Sequence, residues 1–267
     1  MKRDVSANLD VQINESTTLE LQIAVAEQAN VELSETLVLE LNGERVVPQE
    51  IIGSHGTRIH RLDAGPGNLL VSYSATVIGA AAPVPASDYD LALYLRPSRY
   101  AESDKFFGFA ATEFGSIEPH AELLAAVSSW VGSRIRYVPG SSDPIDGATD
   151  TLLSGAGVCR DYAHLVVALL RAVKVPARVV SVYAPGCVPM DFHAVAEAFI
   201  DGVWRVVDAT CLAPRSTLVR IATGRDAADT AFLDNHGGDI AINNMWVSAT
   251  VDGDLPYDDI AELTSIG

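Results

Sequence analysis

Over roughly the first 80 residues, apolar positions recur with a period of two. In "LELQIAVA", Leu19, Leu21, Ile23 and Val25 fall on one side of an extended chain, and in "TLVLELNGERVV", Leu37, Leu39 and Leu41 do so just before Asn42-Gly43. Such alternation marks half-buried strands, and an Asn-Gly pair between two of them marks a tight hairpin turn. "TRIHRL" and "NLLVSYSATVIG" add further strands, the first closed by "DAGPG". Short strands with turn residues between them predict an antiparallel β-sandwich. Residues 80 to 90, "AAAPVPASDYD", are expected to be the loop that leaves it.

The apolar period then becomes that of a helix. Short helices are expected in "YLRPSRYAESDKFFGFAATEF", and "EPHAELLAAVSSWVGSRI" carries Leu123, Leu124, Val127, Trp130 and Val131 at helical spacing, with Pro119 suited to the first turn. After a loop at "SSDPIDGATD", Cys159 to Val173 predicts another helix, buried along Ala163, Val166, Val167, Leu170 and Val173 and bounded by Pro176. "ARVVSVY", "HAVAEAFI" and "VWRVVDA" predict strands, followed by a mostly irregular tail. The pattern divides the chain into residues 1–95, a β-sandwich, and residues 96–267, a domain of helices and antiparallel strands.

Composition narrows the functional classes. A chain of 267 residues, 48% hydrophobic, can bury one large core or two smaller ones. The net charge of −17 is spread along the chain and no Lys/Arg cluster offers phosphates a footing, which argues against nucleic acid as a partner. No run approaches the roughly 18 apolar residues of a membrane span, and "MKRDVSANLD" begins no signal peptide, so no membrane association and a cytoplasmic location are expected. Neither a phosphate-binding glycine loop nor a dinucleotide fingerprint is present, and Cys159, Cys187 and Cys211 with the histidines make no zinc pattern. No cofactor and no metal are expected. Three cysteines are an odd number, so at least one thiol is free.

The chemistry converges on "GAGVCRDYAH", residues 155 to 164. Cys159 follows two glycines at the expected start of a helix, where unpaired N–H groups and the positive dipole end favour a thiolate and could hold an oxyanion. Such a nucleophile needs a base. His164 is five residues on, a rotation of roughly 140° away, and so faces elsewhere. His193 is better placed: "DFHAVAEAFI" and "VWRVVDAT" are joined by Asp201-Gly202, the signature of a two-residue hairpin. Pairing Ile200 with Val203 carries the register to Val195 opposite Asp208, which leaves His193 and Asp208 as diagonal neighbours on one face. An imidazole oriented by a carboxylate is what thiol catalysis requires. Cys187 and Cys211 are assigned structural roles, and Glu197, Phe199, Trp204 and Val206, on the same face, are assigned to packing or the sheet surface.

"GAGVCRDYAHLVVALLRAVKVPARVVSVY", "DFHAVAEAFIDGVWRVVDAT" and the order Cys, His, Asp resemble the transglutaminase-like superfamily, and within it the bacterial cysteine-protease-like branch. The resemblance implies an α+β fold: a papain-like transglutaminase core, with the cysteine-bearing helix packed on an antiparallel sheet, preceded by an N-terminal antiparallel β-sandwich. It implies Cys159 as nucleophile, His193 as base and Asp208 as the orienting acid. The chain lacks an EF-hand-type calcium loop and the C-terminal barrels of the animal enzymes. The implied activity is cleavage of a peptide or amide bond in a peptide or protein substrate through a thioester. Transfer of the acyl group to an amine, or a non-catalytic binding module, is the alternative.

Overall fold

The alternating N-terminal segments become strands with apolar inward rows. A computed structural model of the chain describes residues 1–83, 85–118 and 120–267. It contains β1 (Lys2–Ile13), β2 (Thr17–Leu21), β3 (Val31–Leu41), β4 (Glu44–Val46), β5 (Gln49–Ile52), β6 (Arg58–Ala64) and β7 (Gly67–Gly79). Val5, Ala7, Leu9, Val11 and Ile13 of β1 are buried with Leu69, Val71, Tyr73, Ala75 and Val77 of β7 and with Leu19 and Leu21 of β2. Asn42 and Gly43 take left-handed φ values of 54° and 80° and pair Leu41 with Glu44, the two-residue turn expected of Asn-Gly. Ile23 and Val25 are buried as expected, but they lie beyond the end of β2.

The middle of the chain holds α1 (Asp88–Leu93), α2 (Phe107–Phe114), α3 (Ala121–Arg134), β8 (Arg136–Tyr137), α4 (Ala148–Ser154), β9 (Ala156–Gly157) and α5 (Cys159–Ala172). The first of these occupies part of the expected loop. Ser87 Oγ accepts the Asp90 N–H while Asp90 Oδ2 accepts that of Ser87, a capping box that starts a helix where hydropathy gives no sign of one. Pro119 lies outside the described residues. Beyond α5 come β10 (Ala177–Tyr183), β11 (His193–Ile200), β12 (Val203–Val207) and β13 (Val219–Gly224), which form an antiparallel sheet in the order β12-β11-β10-β13. The sequence predicts one buried stripe on α5, yet every residue from Asp161 to Arg171 is buried. The sheet covers one side of this helix and α2, α3 and α4 cover others, so it is a central helix and not a surface one.

The tail departs from expectation. After α6 (Ala227–Thr230), β14 (Leu233–His236) pairs with β2 and β15 (Ile240–Val251) runs antiparallel along β1. The sandwich is therefore two sheets, β15-β1-β7-β3-β4 and β14-β2-β6-β5, closed at one edge of each by the far end of the chain. The second domain does not run to residue 267 without a break, because residues 233–251 belong to the sandwich. Only Val247 and Ala249 of β15 are fully buried, and the polar run at Asn243-Asn244 hides the strand from a hydropathy reading. Tyr183, Val219, Ile221 and Ala222 of the helix-bearing half pack into the sandwich core, and the Tyr183 hydroxyl donates to Ile23 O at 2.7 Å. Among the described residues, no helix is long and apolar enough to cross a membrane.

Candidate active site

The β11–β12 hairpin has the expected register. Asp201 and Gly202 take φ values of 52° and 77°, and the pairs run from Ile200 with Val203 to Ala196 with Val207. One step further, His193 Nε2 and Asp208 Oδ2 stand 2.8 Å apart, both groups being buried. Asp208 keeps its own orientation because Oδ1 accepts from Thr210 N at 2.9 Å and from Thr210 Oγ1 at 2.7 Å. Against this turn lies α3, where a Cβ on Gly132 would stand 2.7 Å from Ala209 O, so only glycine permits the approach. The sequence reading missed Thr210, although an aspartate capping the residue two positions on is a local pattern.

Cys159 is the first residue of α5. Asp161 Oδ2 accepts the Val158 N–H at 2.7 Å and so caps the helix start, while Oδ1 takes the Ser142 hydroxyl at 2.9 Å. The capping side chain explains Gly157, since a Cβ there would meet Asp161 Cβ at 2.8 Å. The space that the glycine leaves serves the cap. Cys159 Sγ lies 3.9 Å from the carbonyl oxygen of Phe192, the residue before His193, which brings the thiol to the imidazole. His193 Nδ1, the ring nitrogen turned away from Asp208, has no hydrogen-bond partner among the described residues.

Charge and burial pull these groups apart. Burial disfavours the charged His193 ring, but Asp208 and then Cys159 outweigh it, and the imidazole pKa stands well above the ordinary value. Burial likewise pushes Asp208 up, yet the charge and hydrogen bond of His193 and the bonds from Thr210 hold its carboxyl below the usual range. The pair is thus suited to sharing an imidazolium and a carboxylate. Cys187 and Cys211 stand outside this relay: Cys187 is buried and donates to Pro189 O at 3.4 Å, and Cys211 lies 3.7 Å from the backbone oxygen of Asp208. Burial raises the pKa of both thiols.

His164 faces away from the thiol, as the helical rotation requires. It is fully buried, stacks on Tyr100 and accepts the Ala227 N–H at Nε2 over 3.1 Å, which fixes the start of α6. Burial drives its pKa down to about 3 from the ordinary 6.5. The folded state therefore resists a proton that the unfolded chain takes up, and this contribution to stability, full above pH 6.5, is lost as the pH falls towards 3. Replacing His164 with leucine is expected to remove about 1–3 kcal/mol at neutral pH by orphaning the amide. The same change should flatten the loss of stability on acidification, as read from urea unfolding at pH 7 and 5.

Cys159 and His193 open into a cleft of about 590 Å³. Val179, Ile221 and Ala228 line it from the helix-bearing half, while Gln22, Phe232 and Met245 line it from the sandwich and its returning strands. Phe192 and Phe232 stack across it with ring centroids 5.1 Å apart. The sandwich thus supplies part of the cleft wall, a role that no local sequence signal reveals.

The transglutaminase-like superfamily model matches residues 109–209, which contain Cys159, His193 and Asp208. A crystal structure of a protein from Cytophaga hutchinsonii, proposed to be a cysteine protease, superposes with a TM-score of 0.87 at 34% identity, covering 97% of this chain and 94% of that one. An uncharacterized protein of Mycobacterium leprae is 30% identical over 124 residues, 43% of this chain and 44% of the relative. One from Mycobacterium tuberculosis is 36% identical over 75 residues, 28% of this chain and 24% of the relative. The chain therefore matches less than half the length of these mycobacterial relatives.

Proposed function

Because the chain belongs to the transglutaminase-like superfamily, we propose that it is a cysteine hydrolase that cleaves a peptide or amide bond, with Cys159, His193 and Asp208 as its relay. The observation that carries this reading is the meeting of a thiol at a helix start with an imidazole whose far nitrogen is held by a buried carboxylate at 2.8 Å. In the first half-reaction the Cys159 proton passes to His193 Nδ1 and the sulfur bonds to the substrate carbonyl carbon. The N–H groups at the start of α5 precede the helix's own hydrogen bonds, and that of Arg160 would serve the oxyanion. Collapse of the tetrahedral adduct breaks the C–N bond, the amine leaves with the proton from His193, and a thioester remains. In the second half-reaction His193 takes a proton from water, the hydroxide oxygen bonds to the thioester carbon, and the C–S bond breaks to regenerate the thiol.

Iodoacetamide at neutral pH, with adducts mapped by mass, tests the nucleophile. Cys159 is expected to react at least about tenfold faster than Cys187 or Cys211, whose thiols burial holds protonated. Equal, slow modification of all three would remove the basis for the proposal. Capturing the thioester and offering a labelled primary amine tests hydrolysis: free acid is the expected product, and label in the product at modest amine concentration would make the protein an acyl transferase.

A further inference from the structure

Tyr137 reaches the nucleophile by a route separate from the triad. In β8 it pairs in parallel with Gly157 of β9, and the Val138 N–H donates to Gly157 O at 3.0 Å. Paired residues of a ladder share a face, and the face of Gly157 is the one that meets Asp161 in the first turn of α5. The half-buried Tyr137 ring accordingly lies along that turn, its centroid 6.0 Å from that of Tyr162. Its hydroxyl meets the backbone N–H of Cys159, the residue that carries the thiol. An amide N–H can only donate, so the phenol oxygen accepts, and its own hydrogen remains for another acceptor. Burial, and then the neighbouring Cys159 and Cys187 thiols and Asp191, raise the pKa of the phenol above the ordinary value, so it keeps that hydrogen at neutral pH. Two of these neighbours, Cys159 and Asp191, line the cleft.

We propose that the Tyr137 hydroxyl is the side-chain donor of the oxyanion site, completing it beside the N–H of Arg160. The proposal rests on the reading of Cys159 as the nucleophile and adds one residue to its machinery. The Cys159 N–H, which a helix start would otherwise leave to the oxyanion, is taken up by the phenol oxygen. That bond passes its polarity on, because a hydroxyl that accepts from an amide becomes a stronger donor. When the sulfur bonds to the substrate carbonyl carbon, the C=O π pair moves onto oxygen, and the phenol donates a hydrogen bond to it without giving up its proton. When the tetrahedral adduct collapses, the pair returns and this bond weakens. The stabilisation is therefore confined to the steps that form and break such an adduct, which is where it raises the rate. Phenylalanine at this position keeps the ring against Tyr162 and removes only the hydroxyl.

Two small reagents separate this role from mere support of the helix start. Acetylation of Cys159 by 4-nitrophenyl acetate, read from the release of 4-nitrophenolate and the adduct mass, passes through a tetrahedral oxyanion. Alkylation by iodoacetamide displaces iodide and forms none. In Tyr137→Phe the acetylation rate is expected to fall about 100-fold, the scale of losing one oxyanion donor, while alkylation of Cys159 stays within about twofold of the parent. The preserved alkylation also reports an intact fold, and Tyr137→Met, likewise without a donor, repeats the comparison if phenylalanine disturbs it. An acetylation rate that holds overturns the proposal. So does one that falls only in step with alkylation, since Tyr137 then acts on the thiol and not on the oxyanion. If Cys159 of the parent reacts with neither reagent faster than Cys187 and Cys211, the nucleophile reading itself fails and the donor role falls with it. A reactive parent with an unchanged variant removes the donor role alone.

Discussion

Asp208→Asn is expected to lower kcat/KM for amide cleavage by about 10,000-fold while leaving the fold intact, the scale of loss seen when a triad carboxylate becomes an amide. The size follows from where each atom of residue 208 points. Oδ2 faces His193 Nε2 at 2.8 Å, and Oδ1 faces two donors of Thr210, the backbone N–H at 2.9 Å and the hydroxyl at 2.7 Å. An asparagine must put its NH₂ on one side or the other. Facing Thr210, it meets another N–H and the turn is disrupted. Facing His193, it donates to Nε2, drives the ring proton to Nδ1 and leaves that nitrogen unable to accept from the thiol.

The pH profile separates this role from a purely structural one. Asp208 and Cys159 together raise the pKa of His193 against the opposing effect of burial. With the imidazole pKa raised, the alkaline limb of kcat/KM in the parent is expected above the ordinary histidine range. Removing the carboxylate charge lowers that pKa, so the alkaline limb of the variant moves to lower pH. A uniform loss of rate with the limb unmoved would mean that Asp208 merely holds the β12 turn.

What the sequence made legible was local. Asp201-Gly202 dictates a two-residue turn, and from that turn the pairing of Ile200 with Val203 counts out to Asp208 without further information. Cys159 at a helix start is equally local. Nonlocal features were not legible: β15 pairs with a strand more than two hundred residues earlier, and its outward polar residues break the alternation that would mark it. The same holds for Gln22, Phe232 and Met245, which reach the cleft only because the returning chain closes the sandwich beside it. Glu197 fails for a different reason. Its position on β11 was legible, but a charged residue on a strand face is ordinarily at the surface. Only the two arginines that meet it, from β10 and β13, show that it is buried.

Glu197→Gln is therefore expected to cost about 3–5 kcal/mol of stability, a large share of what holds a domain folded. The carboxylate is 1% exposed and lies between two guanidinium groups that are themselves shut off from water, Arg178 at 2.7 Å and Arg220 at 2.6 Å. Arg178 also lies 3.8 Å over the ring of Trp204 and 3.5 Å from His55 Nδ1, while His55 Nε2 bonds the Tyr94 hydroxyl at 2.9 Å. The cluster thus clasps a turn of the sandwich to the sheet that carries His193. An amide of the same shape keeps the packing but removes the carboxylate that bonds both buried guanidinium groups. Asp229→Asn breaks the half-exposed pair with Arg225 and should lose less than about 1 kcal/mol, which makes it the control for an ordinary ion pair. Burial opposes ionisation of Glu197, but Arg220 and Arg178 hold its pKa down at about 2 from the usual 4.5. The ion cluster's contribution is full above pH 4.5 and is lost as the pH falls through 2, so the gap between parent and variant narrows over that window. Urea unfolding at pH 7 and at pH 3 measures both the gap and its narrowing. A loss no greater than that of Asp229→Asn would mean that water or a rearranged arginine already neutralises the cluster.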